Sequence, residues 1–369
     1  MDATAAPTVS SPPRGELLKW LASGLRAEMR RRCHPLVEDG VGGAADAGIV
    51  LHPVDPAVPV GFRRRARAVF VVGLGEAAEA PVEPLKVGYP LLLRTLANLF
   101  LLVVRRGPGG VPATYFFTLE QGSYAISHGG SDQAFFEAVV DRLAPLATSR
   151  LVIDNVFHAD LPPALREGDE HTAAIARAGR RLAALDLLPA PFPLEDFLSP
   201  EDFRHVRQLF NVGGLSYGNL SQRRDEHSFW MSASGVDKSR LREVGRDILL
   251  VTGADPAARA IHLSVPPDVR PRRVSVDAVE HHAIYREHPG VGAILHVHAW
   301  MEGIPSTDVN FPCGTLELAE AVADLVRRAD DPARAVVGLK NHGLTITGKS
   351  LEGIFARTEG RILRQVPMS

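Results

Sequence analysis

The chain has 369 residues, 45% hydrophobic and 23% charged, with a net charge of −2. That length suits two compact domains, each able to bury a core without covalent staples. The balance of 41 Lys+Arg against 43 Asp+Glu excludes a global pull toward nucleic acid. Cys33 and Cys313 match no thiolate metal or redox spacing, which excludes a disulfide framework and points to a reducing, cytoplasmic compartment.

Residues 1–14 are small, polar and proline-containing, with no basic or apolar signal region, and read as a disordered tail. From about Glu16 to Arg32 the residues Leu17, Leu18, Trp20, Leu21 and Leu25 recur at helical spacing and predict an amphipathic helix. Ala68 to Leu74 predicts a buried strand, Leu91 to Asn98 a short helix opened by Pro90, and Leu99 to Val104 a second strand. The apolar stretch Tyr89–Val104 is broken by Arg94 and Asn98 and is shorter than the roughly 20 residues that span a bilayer. Strands are expected at Thr114–Thr118 and Tyr124–Ile126, a helix at Asp132–Leu146 and a strand at Arg150–Val156. This alternation predicts an α/β domain over residues 15–187. Three prolines near Leu188–Leu194 then place a linker at 188–199. Beyond it, residues 200–369 read as a second α/β domain that begins with a helix from about Pro200 to Phe210.

The segment Val69–Glu76 resembles the start of a dinucleotide fingerprint without its third glycine. Arg63, Arg64, Arg65 and Arg67 form a basic run that suits either anion binding or a solvated surface. Neither assigns chemistry to the first half.

In the second half, Gly292-Ala-Ile-Leu-His-Val-His298 reads as a strand, so His296 and His298 project from one face. Two neutral imidazoles supply half of a tetrahedral shell for a divalent ion. His342, in the strand-to-turn segment Ala335–Gly343, fits the third position. The segment Gly213–Arg223 followed by Ser232–Lys238 reads either as an anion cradle or as a plain turn.

Gly218-Asn-Leu-Ser-Gln-Arg223, Ser234-Gly235 with Lys238, Pro289 to His298, Gly314 to Val322 and Asn341 to Lys349 together resemble the class II aldolase/adducin family in order and spacing. The resemblance covers about Glu201 to Arg364. It implies a three-layer α/β/α sandwich around a mainly antiparallel sheet, assembled as a homo-oligomer, usually a tetramer. It also implies that His296, His298 and His342 ligate a divalent metal, with Zn2+ expected and Mn2+, Co2+ or Fe2+ as alternatives. Gly218, Asn219, Ser221, Ser234, Gly235 and Ser275 would hold a substrate phosphate. Asp277 aligns with the family's carboxylate, as proton carrier or further ligand, with a helix N-cap as its structural alternative. Glu280 is the alternative base, and His281 and His282 are expected on a helix surface or in packing.

Three departures bear on the substrate. Only five residues separate His298 from Ile304, so a wall segment and a catalytic tyrosine of the sugar-phosphate aldolases are missing. Val276 replaces a phosphate-binding serine. The chain reaches Ser369 soon after its last helix, and no tail is expected to close the site. The implied activity is that of a metal-dependent lyase on a small hydroxy-carbonyl or sugar-derived compound, with the first domain available as a replacement wall or lid. An epimerase, dehydratase or decarboxylase on the same site, an iron-dependent oxygenase, and a non-catalytic adducin-like module are the alternatives. Nucleic-acid and membrane partners are not expected.

Overall fold

The computed structural model describes residues 15–37, 48–62, 69–120, 122–185, 187, 200 and 218–369. The expected tail at 1–14, the basic run Arg63–Arg67, the linker at 188–199, the helix at 200–210 beyond Pro200, and the glycine-rich residues 213–217 lie outside the described residues. No described helix is long and apolar enough to cross a membrane.

The chain is an α/β protein with two mixed sheets. The first half contains α1 (Glu16–Arg31), β1 (Gly48–Pro53), β2 (Val69–Glu79), α2 (Pro84–Arg94), β3 (Leu99–Arg106), β4 (Ala113–Thr118), β5 (Ser123–Ser127) and α3 (Asp132–Thr148). Strands β1 to β5 lie in sequence order, the first three parallel and the last two antiparallel. The central strand β3 is apolar from Leu99 to Val104 because both of its faces are covered there. Leu99, Leu101 and Val103 pack with Leu21, Leu25 and Met29 of α1 and Val139 of α3. Phe100, Leu102 and Val104, on the other face, pack with Tyr89 and Leu92 of α2. Each such side chain contributes about 1.5–3 kcal/mol by leaving water.

Two sequence expectations are corrected here. The helix expected at Leu91–Asn98 begins earlier, with Pro84 as its opening proline, and carries Pro90 inside. The fingerprint-like segment is one continuous strand to Glu79, not a strand, loop and helix. Gly73 and Gly75 are there because the Phe100 ring lies across them, and a Cβ would meet it at 2.5 Å and 2.9 Å.

Helix α1 ends on a buried carboxylate. Arg31 Nη2 donates to Glu28 Oε1 at 2.7 Å, and Arg32 bonds the same oxygen. The Arg31 guanidinium, with help from Arg32 and against the cost of burial, holds the Glu28 carboxyl down at about 2. A depressed folded-state value stabilises the fold above the ordinary carboxylate range, and that stability is lost as pH falls from about 4.5 toward 2. Glu28→Gln is therefore expected to cost on the order of 1–3 kcal/mol at pH 7 and to flatten the acid limb of the unfolding curve. Thermal melts of both proteins from pH 7 to pH 3 check this; parallel curves would refute it.

The second sheet is built from β6 (Asp154–His158), β7 (Gly218–Arg223), β8 (Phe229–Ser232), β9 (Ile248–Asp255), β10 (Ala260–Ser264), β11 (Ala293–Val297), β12 (Val336–Leu339) and β13 (Gly343–Gly348). Its order is β12-β13-β11-β7-β8-β9-β10-β6, antiparallel except for the β10–β6 pair. Helices α4 (Glu170–Ala184), α5 (Ala278–Glu287), α6 (Leu316–Arg327) and α7 (Leu351–Thr358) accompany it. Helix α5 packs beside α6, and α4 beside α7.

Residues 152–185 and 187, grouped with the first half by the sequence reading, are built into this second core. Asp154 to His158 pair with Ala260 to Ser264, and Ile175, Ala178 and Leu182 of α4 pack with Trp230 and Met231. Asp169 opens α4 through a capping box with Thr172 and also accepts from Trp230 Nε1 at 2.8 Å. Proline-rich composition marks where helix and strand stop, whereas membership of a sheet is set by pairing with strands a hundred residues away.

Candidate metal centre

Strand β11 is the middle of the site. His296 faces Asn219 of β7 on one side and Thr345 of β13 on the other, so these three side chains share a sheet face. Helix α5 covers that face. Asn219 Nδ2 donates to Asp277 Oδ2 at 2.7 Å and to Ser275 Oγ at 3.1 Å. Thr345 Oγ1 donates to Glu280 Oε1 at 2.5 Å. One layer deeper, Ser221 Oγ is held by His281 Nδ1 at 2.7 Å and Tyr285 Oη at 2.8 Å. Gly218 lets β7 approach β11 this closely, since a Cβ there would stand 2.4 Å from the His296 carbonyl oxygen.

Ring nitrogens of His296, His298 and His342 lie within 4.8 Å of one another. His342 comes from the turn between β12 and β13, behind Asn341 at φ 57, and its Nε2 stands 3.2 Å from His298 Nε2. Burial lowers all three imidazoles, to about 4 for His296 and about 3 for His298. They are neutral at pH 7, the state a metal ligand needs. His296 Nε2, fully buried, makes no hydrogen bond with a described residue, and neither do Asp277 Oδ1 and Glu280 Oε2. Buried polar atoms without partners are costly, and three of them around converging imidazoles fit a divalent cation. Asp277 Oδ2 is 4.0 Å from His296 Nε2. Burial raises the carboxyls of both Asp277 and Glu280 above their ordinary values.

The structure thus brings together His296, His298, His342, Asp277, Glu280, Asn219 and Ser275. Asp277 occupies the N-cap position of α5 without a capping bond, because its carboxylate is turned to Asn219. Ser221 is fully buried and engaged by α5, so it supports the helix from beneath. Ser234 sits on the loop after β8 with its N–H donating to the Arg273 carbonyl, and Gly235 is exposed at φ 64. Lys238 fixes that loop from inside, donating from Nζ to the Ala233 carbonyl at 3.1 Å, and burial pushes it down to about 8. His281 is fully buried; it is a packing residue and not part of the helix surface.

Four nearby side chains escaped the sequence reading. Thr345 shared a face with Gly343 and Thr347 and was legible by alternation. Cys313 Sγ lies 3.2 Å from His342 Nε2. Glu120, from the turn after β4, forms a second group with Cys313 and His342, its carboxylate within 4.8 Å of their ligand atoms. Arg142 of α3 lines the cavity beside them. Nothing local in sequence signals the last three.

The last residues also reach this region. Ser369 exchanges two hydrogen bonds with the Asn341 side chain, both at 2.9 Å, and the Met368 side chain lies against Gly122.

Residues 205–304 match the model of the class II aldolase and adducin N-terminal domain. This segment is similar to the class II aldolase/adducin family. The methylthioribulose-1-phosphate dehydratase of Microcystis aeruginosa is 25% identical over 179 residues, 40% of this chain and 82% of that protein. The enzyme of the same name from Sodalis glossinidius is 39% identical over 82 residues, 22% of this chain and 35% of its own length. One from Xanthomonas campestris is 32% identical over 104 residues, 28% of this chain and 42% of its own. Among solved structures, an L-fuculose 1-phosphate aldolase aligns with a TM-score of 0.36 and 18% identity, over 52% of this chain and 81% of that one. The proteins similar in sequence to this part of the chain are named as dehydratases.

Proposed function

We propose that this protein is a divalent-metal-dependent lyase that acts on a small hydroxy-carbonyl compound. The observation that carries the reading is the convergence of three neutral imidazoles beside two buried carboxylates that each keep an oxygen without a partner. Its relatives' names favour elimination of water, with retro-aldol cleavage as the closely related step at the same site.

His296, His298 and His342 would hold a divalent cation, zinc in the first instance, which would supply charge withdrawal from a carbonyl and an adjacent hydroxyl oxygen. Asp277 takes the proton from the carbon next to that carbonyl. Asn219 and Ser275 orient its carboxylate through Oδ2, leaving Oδ1 to receive the proton. Glu280, fixed by Thr345, is the second carboxyl, which passes a proton to the hydroxyl on the neighbouring carbon as its C–O bond breaks and it departs as water. The layered second half excludes water from this face of β11. A class II aldolase-like sandwich over residues 200–369, joined to an N-terminal α/β part, and homo-oligomeric assembly belong to the same reading.

The test is metal analysis joined to a substrate screen. Purified without chelator, the protein is expected to hold about one divalent ion per chain. It should then convert methylthioribulose-1-phosphate, or another small hydroxy-carbonyl compound, with loss of water seen by proton NMR. No uptake of zinc, manganese, cobalt or iron, or turnover indifferent to chelation, overturns the proposal.

A further inference from the structure

The first sheet meets the metal centre through a cavity of about 160 Å³. One wall comes from Asn310 to Cys313 and His342 of the second half. The other comes from the first half, with Glu120, Tyr124 and Arg142 among its polar members and Phe70, Leu99 and Leu146 among its apolar ones. The turn that carries Glu120 is clamped. Tyr89 Oη donates to the Leu119 carbonyl at 3.1 Å, and Thr118 N–H to the Gly122 carbonyl at 3.1 Å.

Arg142 is out of balance there. Its guanidinium lies beside the Tyr124 phenol, whose ring is stacked on Phe116 at 4.6 Å. Its Nε is buried without a hydrogen-bond partner, and it makes no salt bridge with a described residue. A buried guanidinium N–H left unpaired is costly, and that cost is recovered when an oxyanion binds. An apolar wall strengthens that attraction.

We propose that this cavity is the substrate chamber, that Arg142 binds the phosphate or carboxylate end of the substrate, and that Glu120 hydrogen-bonds a substrate hydroxyl beside the metal centre. The first half thereby selects the substrate while the second half does the chemistry. The ligand class is a short anionic polyol or hydroxy acid. This assignment rests on the lyase reading for the word substrate, but the binding it asserts is measured apart from metal content and turnover.

The probes are inorganic phosphate, glycolate and glycerol 3-phosphate, titrated calorimetrically into metal-loaded full-length protein. Wild type is expected to bind glycerol 3-phosphate more tightly than phosphate. Arg142→Gln should weaken phosphate and glycerol 3-phosphate about tenfold to a hundredfold, the scale of a lost charge-assisted bond, with metal content and melting temperature kept. Arg142→Lys should restore part of the affinity. Phosphate binding with no glycolate binding assigns a phosphate end, and the reverse assigns a carboxylate. Glu120→Gln should remove the advantage of glycerol 3-phosphate over phosphate. Unchanged anion affinity in Arg142→Gln overturns the proposal, as does loss of affinity in Ser234→Ala alone, which puts the anion at the loop after β8. Should Arg142→Gln unfold, Tyr124→Phe, which removes the phenol beside the guanidinium and keeps the charge, must alter phosphate affinity or the assignment falls. Absence of metal with Arg142-dependent phosphate binding intact would refute the lyase reading and leave this one standing.

Discussion

His296→Ala is expected to leave purification with little bound metal and no measurable turnover, while His281→Asn keeps its metal. The two histidines sit one strand and one helix apart and both are fully buried, so burial does not distinguish them. What distinguishes them is the convergence. Each has one ring nitrogen bonded, His281 Nδ1 by Ser221 and His296 Nδ1 by Thr345, and a buried Nε2 without a partner, but only His296 lies with the ring nitrogens of His298 and His342. Removing one of three imidazoles leaves two protein ligands, too few to hold a divalent ion against dilution. His281→Asn should instead lower the melting temperature, because it breaks a buried bond and leaves a cavity beneath α5. Elemental analysis and thermal unfolding of both variants give four numbers. Equal metal loss in the two variants would mean that the cluster is held by fold integrity and would sink the ligand assignment.

Asp277→Asn is expected to fold, to hold its metal and to lose at least about a hundredfold in turnover, the usual scale of a positioned proton carrier. The substitution keeps size and shape, and because Asp277 makes no capping bond, α5 loses nothing at its N-terminus. The neighbour Asn219 donates to Oδ2, and an amide oxygen can accept that bond as well. Stability should therefore move little. Glu280→Gln provides the contrast: the bond from Thr345 is kept, and a smaller loss than in Asp277→Asn would place Glu280 second in the proton path. Full activity in Asp277→Asn, measured with the same substrate and metal loading, would remove it from the chemistry.

The metal centre and the first half differ in how much local pattern reveals. His296 and His298 share a face because strand alternation is a property of covalent geometry, so spacing alone paired them. His342 followed from a glycine-bounded strand end, and Asn219, Ser275 and Asp277 from motif resemblance. The strands of the first sheet were legible as apolar runs because β3 is covered on both faces, and a strand of that kind shows no polar alternation to misread. Val69–Glu76 misled for the opposite reason. Glycine marks a close approach without saying of what, and only the fold shows that Phe100 and not a phosphate lies against Gly73 and Gly75.

By itself, then, the sequence determined the elements, the three converging imidazoles and the family segment, all of which depend on neighbours within a strand or turn. Tertiary structure alone decided that β6 and α4 join the second sheet, that Ser221 is spent on holding α5, and that Glu120 and Arg142 arrive at the cavity beside His342. Those are contacts between residues far apart in the chain, and nothing in the spacing of side chains along one segment encodes which distant segment will be folded against it.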